Sequence, residues 1–121
     1  MSDNPLSVRL QVKKGRTLAI VDAPAGLVAA TGLEATAGAS DADVVLNFVT
    51  NRAGLERYLS GIGGMTRPDS ILWVAYPKLT SPLAGEVSRN LVHGMAPVHG
   101  LDTVAQVAID ADWSAMRLKR L

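Results

Sequence analysis

The sequence predicts an α/β domain: a three-layer sandwich around a mainly parallel five-stranded sheet, closed by a C-terminal antiparallel hairpin. Three observations predict it. The run Ile71-Leu72-Trp73-Val74-Ala75-Tyr76 is continuously apolar and stops at Pro77-Lys78, as a strand does when helices cover both its faces. Val44 to Val49 and Thr17 to Val21 are shorter runs of the same kind, separated by segments long enough for crossovers. Between the last two runs, Thr103 to Ile109 and Ala115 to Leu121, only Asp110-Ala111-Asp112-Trp113-Ser114 intervene, which suits a hairpin and no crossover.

The elements follow in order. Leu6 to Gln11 alternate apolar and polar, and Lys13-Lys14-Gly15-Arg16 is a turn in which Gly15 can take positive φ. After the strand at Thr17 to Val21, Asp22-Ala23-Pro24-Ala25-Gly26 is a turn able to open a helix over Leu27 to Thr31, ended by Gly32. Ala35 to Asp43 is small and polar, a loop or a weak edge element. Asn51 caps the next helix, which carries Leu55, Tyr58, Leu59 and Ile62 on one face and ends at Gly61, Gly63 and Gly64. Ser81-Pro82 has the form of another helix start, followed by a stripe of Leu83, Val87, Leu91 and Met95, with Gly100 closing the connection.

Composition narrows the function classes. The 121 residues form one domain, 48% hydrophobic and 19% charged, with a net charge of +1. A balance so close to neutral argues against nucleic acid and anionic membrane as partners. Two basic clusters, Arg9 to Arg16 and Arg117 to Arg120, read as solvated faces, without aromatics between them for base stacking. There is no cysteine, which excludes disulfides, zinc thiolates and thiol nucleophiles. Met1-Ser2-Asp3-Asn4-Pro5 has no apolar stretch of signal-peptide length, and no segment is long enough to span a bilayer. A cytoplasmic location is therefore the default expectation.

Arg67-Pro68-Asp69-Ser70-Ile71-Leu72-Trp73-Val74 resembles the turn and strand in the second half of class I S-adenosylmethionine-dependent methyltransferases. The likeness extends to a narrower family, a bacterial domain of unknown function built like a truncated methyltransferase. It is carried by Asp22-Ala23-Pro24, Phe48-Val49 with Arg52-Ala53-Gly54-Leu55-Glu56, Leu72 to Lys78, and Val107 to Ala115. This resemblance implies a Rossmann-like sheet with the strand order first, second, third, fifth, fourth. It also implies a departure. Methyltransferases follow the first strand with a glycine-rich loop, whereas this chain has one glycine there and a proline that removes an N–H. Glu34 is the only acidic candidate for holding a ribose, and it sits in no convincing strand. On this ground no cofactor is expected, and S-adenosylmethionine is argued against.

In such a sheet the loops at the carboxyl ends of the strands converge on one rim. They would bring together Asp22 and Gly26; Thr50, Asn51 and Arg52; Tyr76, Lys78, Thr80 and Ser81; and Asp110, Asp112, Trp113 and Ser114. Lys78 could hold an anion, or pair with Asp110 or Asp112 across the hairpin. Trp113 could stack on a ring or pack on the neighbouring strand, and Tyr76 has the same two roles open. Arg52 at a helix start opposes the helix dipole, which hints at an anionic partner. Asp22 could serve as a base or accept backbone hydrogen bonds. His93 and His99 are six apart without a third ligand, against a metal site. Ser81 and Ser114 have no His-Asp pair at the rim, against a hydrolase triad.

Two functional readings follow. The first is a non-catalytic methyltransferase-like module that binds a partner. Its first strand would lie at a sheet edge, to be covered by a homodimer or by a loop folded over it. The second is a binder of, or enzyme for, a small anionic or nucleotide-like molecule at the rim, with Lys78 and Arg52 holding the charge.

Overall fold

A computed structural model describes residues 10–12, 15–24, 26–27, 33–67 and 69–121. Its elements are β1 (Leu18–Val21), β2 (Val44–Phe48), α1 (Arg52–Met65), β3 (Ile71–Pro77), α2 (Arg89–Met95), a 3-10 turn (Ala96–His99), β4 (Leu101–Ala108) and β5 (Trp113–Arg120). The five strands form one sheet in the order β1-β2-β3-β5-β4, as the resemblance implies. The expected predominance of parallel pairing is corrected. β1·β2 and β2·β3 are parallel, but β3·β5 and β5·β4 are antiparallel. The hairpin inserts its second strand next to β3, so the sheet is mixed, with two pairs of each kind.

Side chains alternate across the sheet and make two cores. On one face Val45, Leu72, Val74, Met116 and Leu118 pack against Leu55, Tyr58 and Leu59 of α1 and Val92 of α2. On the other, Leu18, Val44, Leu46, Phe48, Trp73 and Ala115 pack with Leu10, Leu33 and Ile109. Trp73, 1% exposed, lies at the centre of this second core. Its indole Nε1 donates to the Leu10 carbonyl at 2.9 Å, which satisfies the one polar atom of a buried tryptophan. The helix expected over Leu27 to Thr31 and the alternating segment Leu6 to Gln11 fall largely outside the described residues.

Three expected boundaries move. α1 runs through Gly61, Gly63 and Gly64 to Met65. Each glycine costs about 1 kcal/mol against alanine, and the buried face of Leu55, Tyr58 and Leu59 outweighs that propensity. Ser81-Pro82 does not start a helix; α2 begins at Arg89, capped by Ser88, whose Oγ accepts from the Leu91 amide. Ser81 instead accepts from the Leu83 amide at 3.0 Å and donates to Asp112 Oδ1 at 2.9 Å. A serine that bonds its own backbone and a distant carboxylate favours a turn over a helix. The predicted stripe consequently splits, with Val87 buried and Leu83 exposed. The hairpin strands are also longer than predicted, Leu101–Ala108 and Trp113–Arg120.

The turn expectations hold at Gly15 and Gly100, with φ of 87° and 75°. β1 is an edge strand, and a loop folds over its start. The Leu18 carbonyl accepts from the Thr36 and Ala37 amides, and the Leu18 amide donates to Thr36 Oγ1.

The two ends of the sheet differ. At the amino ends of β1 and β2, Asp43 accepts from the Thr17 amide at 2.8 Å and pairs with Arg67. Arg120 reinforces that end by donating to Thr66 Oγ1 and to the Arg67 and Ser70 carbonyls. The carboxyl ends of β1 and β2 have no such bracing among the described residues, and a cleft opens there.

Candidate functional site

The cleft has a volume of ≈ 390 Å³ and lies between the ends of β1 and β2 and the first turns of α1. Val21, Phe48 and Val49 supply apolar wall, and Asp22, Asn47, Thr50, Asn51 and Arg57 supply polar groups. The size falls inside the roughly 300–1,000 Å³ typical of small-molecule sites.

Asn47 is the distinctive group. It sits inside the otherwise apolar strand Val44-Val45-Leu46-Asn47-Phe48 and is 4% exposed. Its Nδ2 makes one long bond, 3.4 Å, to the Phe48 carbonyl, and its Oδ1 accepts from no described residue. Its remaining hydrogen-bonding capacity opens into the cleft. Sequence reasoning misses Asn47, although a lone amide in a continuous apolar run is itself a signal.

Around it the first turn of α1 is fixed by side-chain bonds. Asn51 caps the helix as predicted, its Oδ1 accepting from the Gly54 amide at 2.7 Å. A Cβ at Gly54 would stand 3.2 Å from that oxygen and 3.8 Å from an Arg57 guanidinium nitrogen, so glycine leaves room for both. Arg57 is exposed and has no carboxylate partner among the described residues. Tyr58 donates its hydroxyl to the Trp73 carbonyl at 3.0 Å. Burial holds its phenol well above the ordinary tyrosine range, with the Arg120 charge opposing weakly. It is a fixed, protonated wall and no base at neutral pH.

Of the residues the sequence placed at the rim, the cleft gathers Asp22, Thr50 and Asn51. Gly26 lies beyond its lining, in a turn where it takes φ 79° and the Leu27 amide donates to the Pro24 carbonyl. The Arg52 amide faces Glu86 Oε1 at 3.3 Å, so the carboxylate at that helix start is the chain's own. Tyr76 and Trp113 are in the cores. Trp113 stacks edge-on against Phe48 with centroids 5.3 Å apart, and Tyr76 Oη accepts from Gln106 Nε2 at 3.1 Å. Lys78 meets Asp112 through its backbone, N–H to carbonyl at 2.8 Å. No ion pair joins Lys78 to Asp110 or Asp112 among the described residues. Asp110 accepts from the Asp112 and Trp113 amides, and Ser114 is buried in β5 opposite Tyr76. Tyr76, Lys78, Asp110, Asp112, Trp113 and Ser114, with Ser81, shape the hairpin end and stand apart from the cleft lining. Among the described residues there is no cluster of three metal-ligating side chains. No helix among them is long and apolar enough to cross a membrane.

No family model matches this sequence, and no curated protein does. Solved structures do. The mitomycin 7-O-methyltransferase MmcR superposes with a TM-score of 0.57 at 17% identity, over 96% of this chain and 45% of its own. LepI in complex with SAM gives 0.52 at 16% identity, over 96% and 39%. A LepI variant in complex with SAH and a substrate analogue gives 0.53 at 16%, over the same shares. The chain has a methyltransferase-like fold. This methyltransferase-like domain spans less than half the length of these neighbours.

The neighbours overturn one expectation. The sequence argues against S-adenosylmethionine, yet fold neighbours include complexes with SAM and with SAH. The argument rests on the missing glycine loop after β1. In the methyltransferase-like domain Asp22 itself takes φ 58°. Aspartate tolerates that left-handed conformation better than most residues. The chain therefore turns away from β1 without glycine, and the rim stays open beside Asp22.

Proposed function

We propose that this methyltransferase-like domain binds an S-adenosylmethionine-type molecule in the cleft at the ends of β1 and β2. The observation that carries the reading is Asn47, a buried amide with spare hydrogen-bonding capacity in the wall of a cleft of ≈ 390 Å³. Such an amide is retained where something other than protein satisfies it.

The lining suits the ligand group by group. An adenosyl amino acid presents an ammonium, a carboxylate, ribose hydroxyls and a flat ring. Asp22 offers a carboxylate to the ammonium or a ribose hydroxyl, and Arg57 a guanidinium to the carboxylate. Asn47 and Thr50 offer neutral donors and acceptors, and Val21, Phe48 and Val49 an apolar surface. When bound, the cofactor supplies an electrophilic methyl group on a sulfonium. The chain's own contribution is binding and orientation. Tyr58 is committed to the Trp73 carbonyl, and Asp22 is the one carboxylate among the described lining residues. We therefore read a ligand-binding module without a built proton-transfer apparatus.

Calorimetric titration of the full chain with S-adenosylmethionine and S-adenosylhomocysteine tests this. Saturable one-to-one binding is expected, weakened at least tenfold by Arg57→Ala. An absence of heat and of thermal stabilisation at millimolar ligand would refute it.

A further inference from the structure

A second cleft lies on the helix-covered face of the sheet, away from the rim. It has a volume of ≈ 240 Å³ between α2 and the edge strand β4. Arg89 and His93 reach it from α2, one turn apart, and Thr103 and Gln106 from β4. No aspartate or glutamate lines it among the described residues, and Arg89 has no carboxylate partner among them.

Three of the four side chains are held by hydrogen bonds. His93 Nδ1 and Thr103 Oγ1 are 2.6 Å apart, which fixes the imidazole and leaves Nε2 open. Gln106 spends one Nε2 hydrogen on Tyr76 Oη and keeps the other. Tyr76 is buried, its hydroxyl accepts from Gln106, and its own hydrogen has no described acceptor. The Arg89 charge reaches that hydroxyl, opposing the rise that burial imposes on the phenol.

The backbone is shaped at the same place. The β4·β5 register shifts between Thr103 and Ala105. A bulge leaves one residue unpaired, turns the strand and re-aims the side chains on either side. Here the shift falls between Thr103 and Gln106, the two β4 residues that supply polar groups to the cleft. Met116 and Ala105 make a small apolar floor. A guanidinium fork, an amide and the one hydrogen that the bonded His93–Thr103 pair has to spare, around a pocket without acid, match a tetrahedral anion, for which a guanidinium offers paired donors.

We propose that the cleft between α2 and β4 is a binding site for a phosphate-class oxyanion, carried by Arg89 and His93 with Thr103 and Gln106. The site is independent of the rim cleft and of the ligand proposed there.

The test is a titration of isotopically labelled full-length protein with inorganic phosphate at constant ionic strength, followed by amide chemical shifts. Saturable shifts confined to residues around 89–93 and 103–106 are expected. Arg89→Ala, an exposed position, should weaken the phosphate affinity at least tenfold while circular dichroism stays unchanged. Gln106→Leu gives a second reading, with an expected loss of several-fold. Acetate at the same concentrations should bind at least tenfold more weakly. Linear, non-saturating shifts overturn the proposal. So does retained affinity in Arg89→Ala, or its loss in Arg117→Ala, which registers with Trp73 on the other face of the sheet. Equal affinity for acetate overturns the assignment to the phosphate class.

Discussion

Asn47 of β2 stands in register with Val21, the last residue of β1. An amide thus faces the cleft beside the strand end at which Asp22 turns the chain away. That pairing sets a conflict between stability and binding. Replacing Asn47 with leucine removes an amide that the fold holds by one long bond and adds apolar contact. We expect Asn47→Leu to stabilise the fold by about 1 kcal/mol and to abolish ligand binding in the cleft. Urea denaturation together with calorimetry checks both halves. Destabilisation with binding intact would show that the amide serves the fold.

Asn51 caps α1 through the Gly54 amide. Asn51→Ala is expected to cost about 1 kcal/mol, and Asn51→Ser or Asn51→Asp to restore most of it. Thermal and chemical melts of the three variants measure this. Equal midpoints for Asn51→Ala and the parent protein would rule out a stabilising cap.

Trp73 ties β3 to Leu10 across 63 positions of sequence. Trp73→Phe deletes the indole N–H, leaves the Leu10 carbonyl without that donor and opens a void in the second core. The expected loss is about 2–3 kcal/mol, with an unchanged dependence on denaturant concentration. A shift below about 0.5 kcal/mol, the size of an ordinary surface substitution, would mean that the bond contributes nothing net.

Asp43 sits below the ordinary carboxylate range. The Thr17 amide is the main cause, the Arg67 guanidinium the next, and burial opposes them. A depressed carboxylate contributes stability above its unfolded pKa, near 4. It loses that contribution as the pH falls through the lower folded value. Asp43→Asn should therefore melt below the parent protein at pH 7, with the two curves converging as the pH drops below 4. A constant gap across that range would assign the effect to something other than ionisation.

Much of the fold is legible from pattern. The continuous run at Ile71 to Pro77 and the short link after Ile109 reflect local rules that burial enforces, and strands form on the predicted runs, the last two starting two residues early so that Trp113 and Ser114 join β5. Strand order comes from the resemblance, and the pairing directions need the assembled sheet. The start of α2 escapes the sequence because Ser81 has a partner, Asp112, 31 residues away, which no local pattern contains. The cleft is half legible. Asp22, Thr50 and Asn51 follow from the rule that loops meet at strand ends, whereas Asn47 and Arg57 reach it from inside a strand and from the second turn of a helix.

The amino-acid order alone determined that this chain makes an α/β sheet with Trp73 at its centre, because apolar runs and turn residues act over a few neighbours. Only the tertiary structure decided which polar groups share a cavity. It left Asn47 short of partners beside Asp22, put Arg89 and His93 opposite Thr103 and Gln106, and drew Tyr76 and Trp113 into the cores. Those outcomes depend on register, burial and bonds between distant residues, which arise only when the strands are laid side by side.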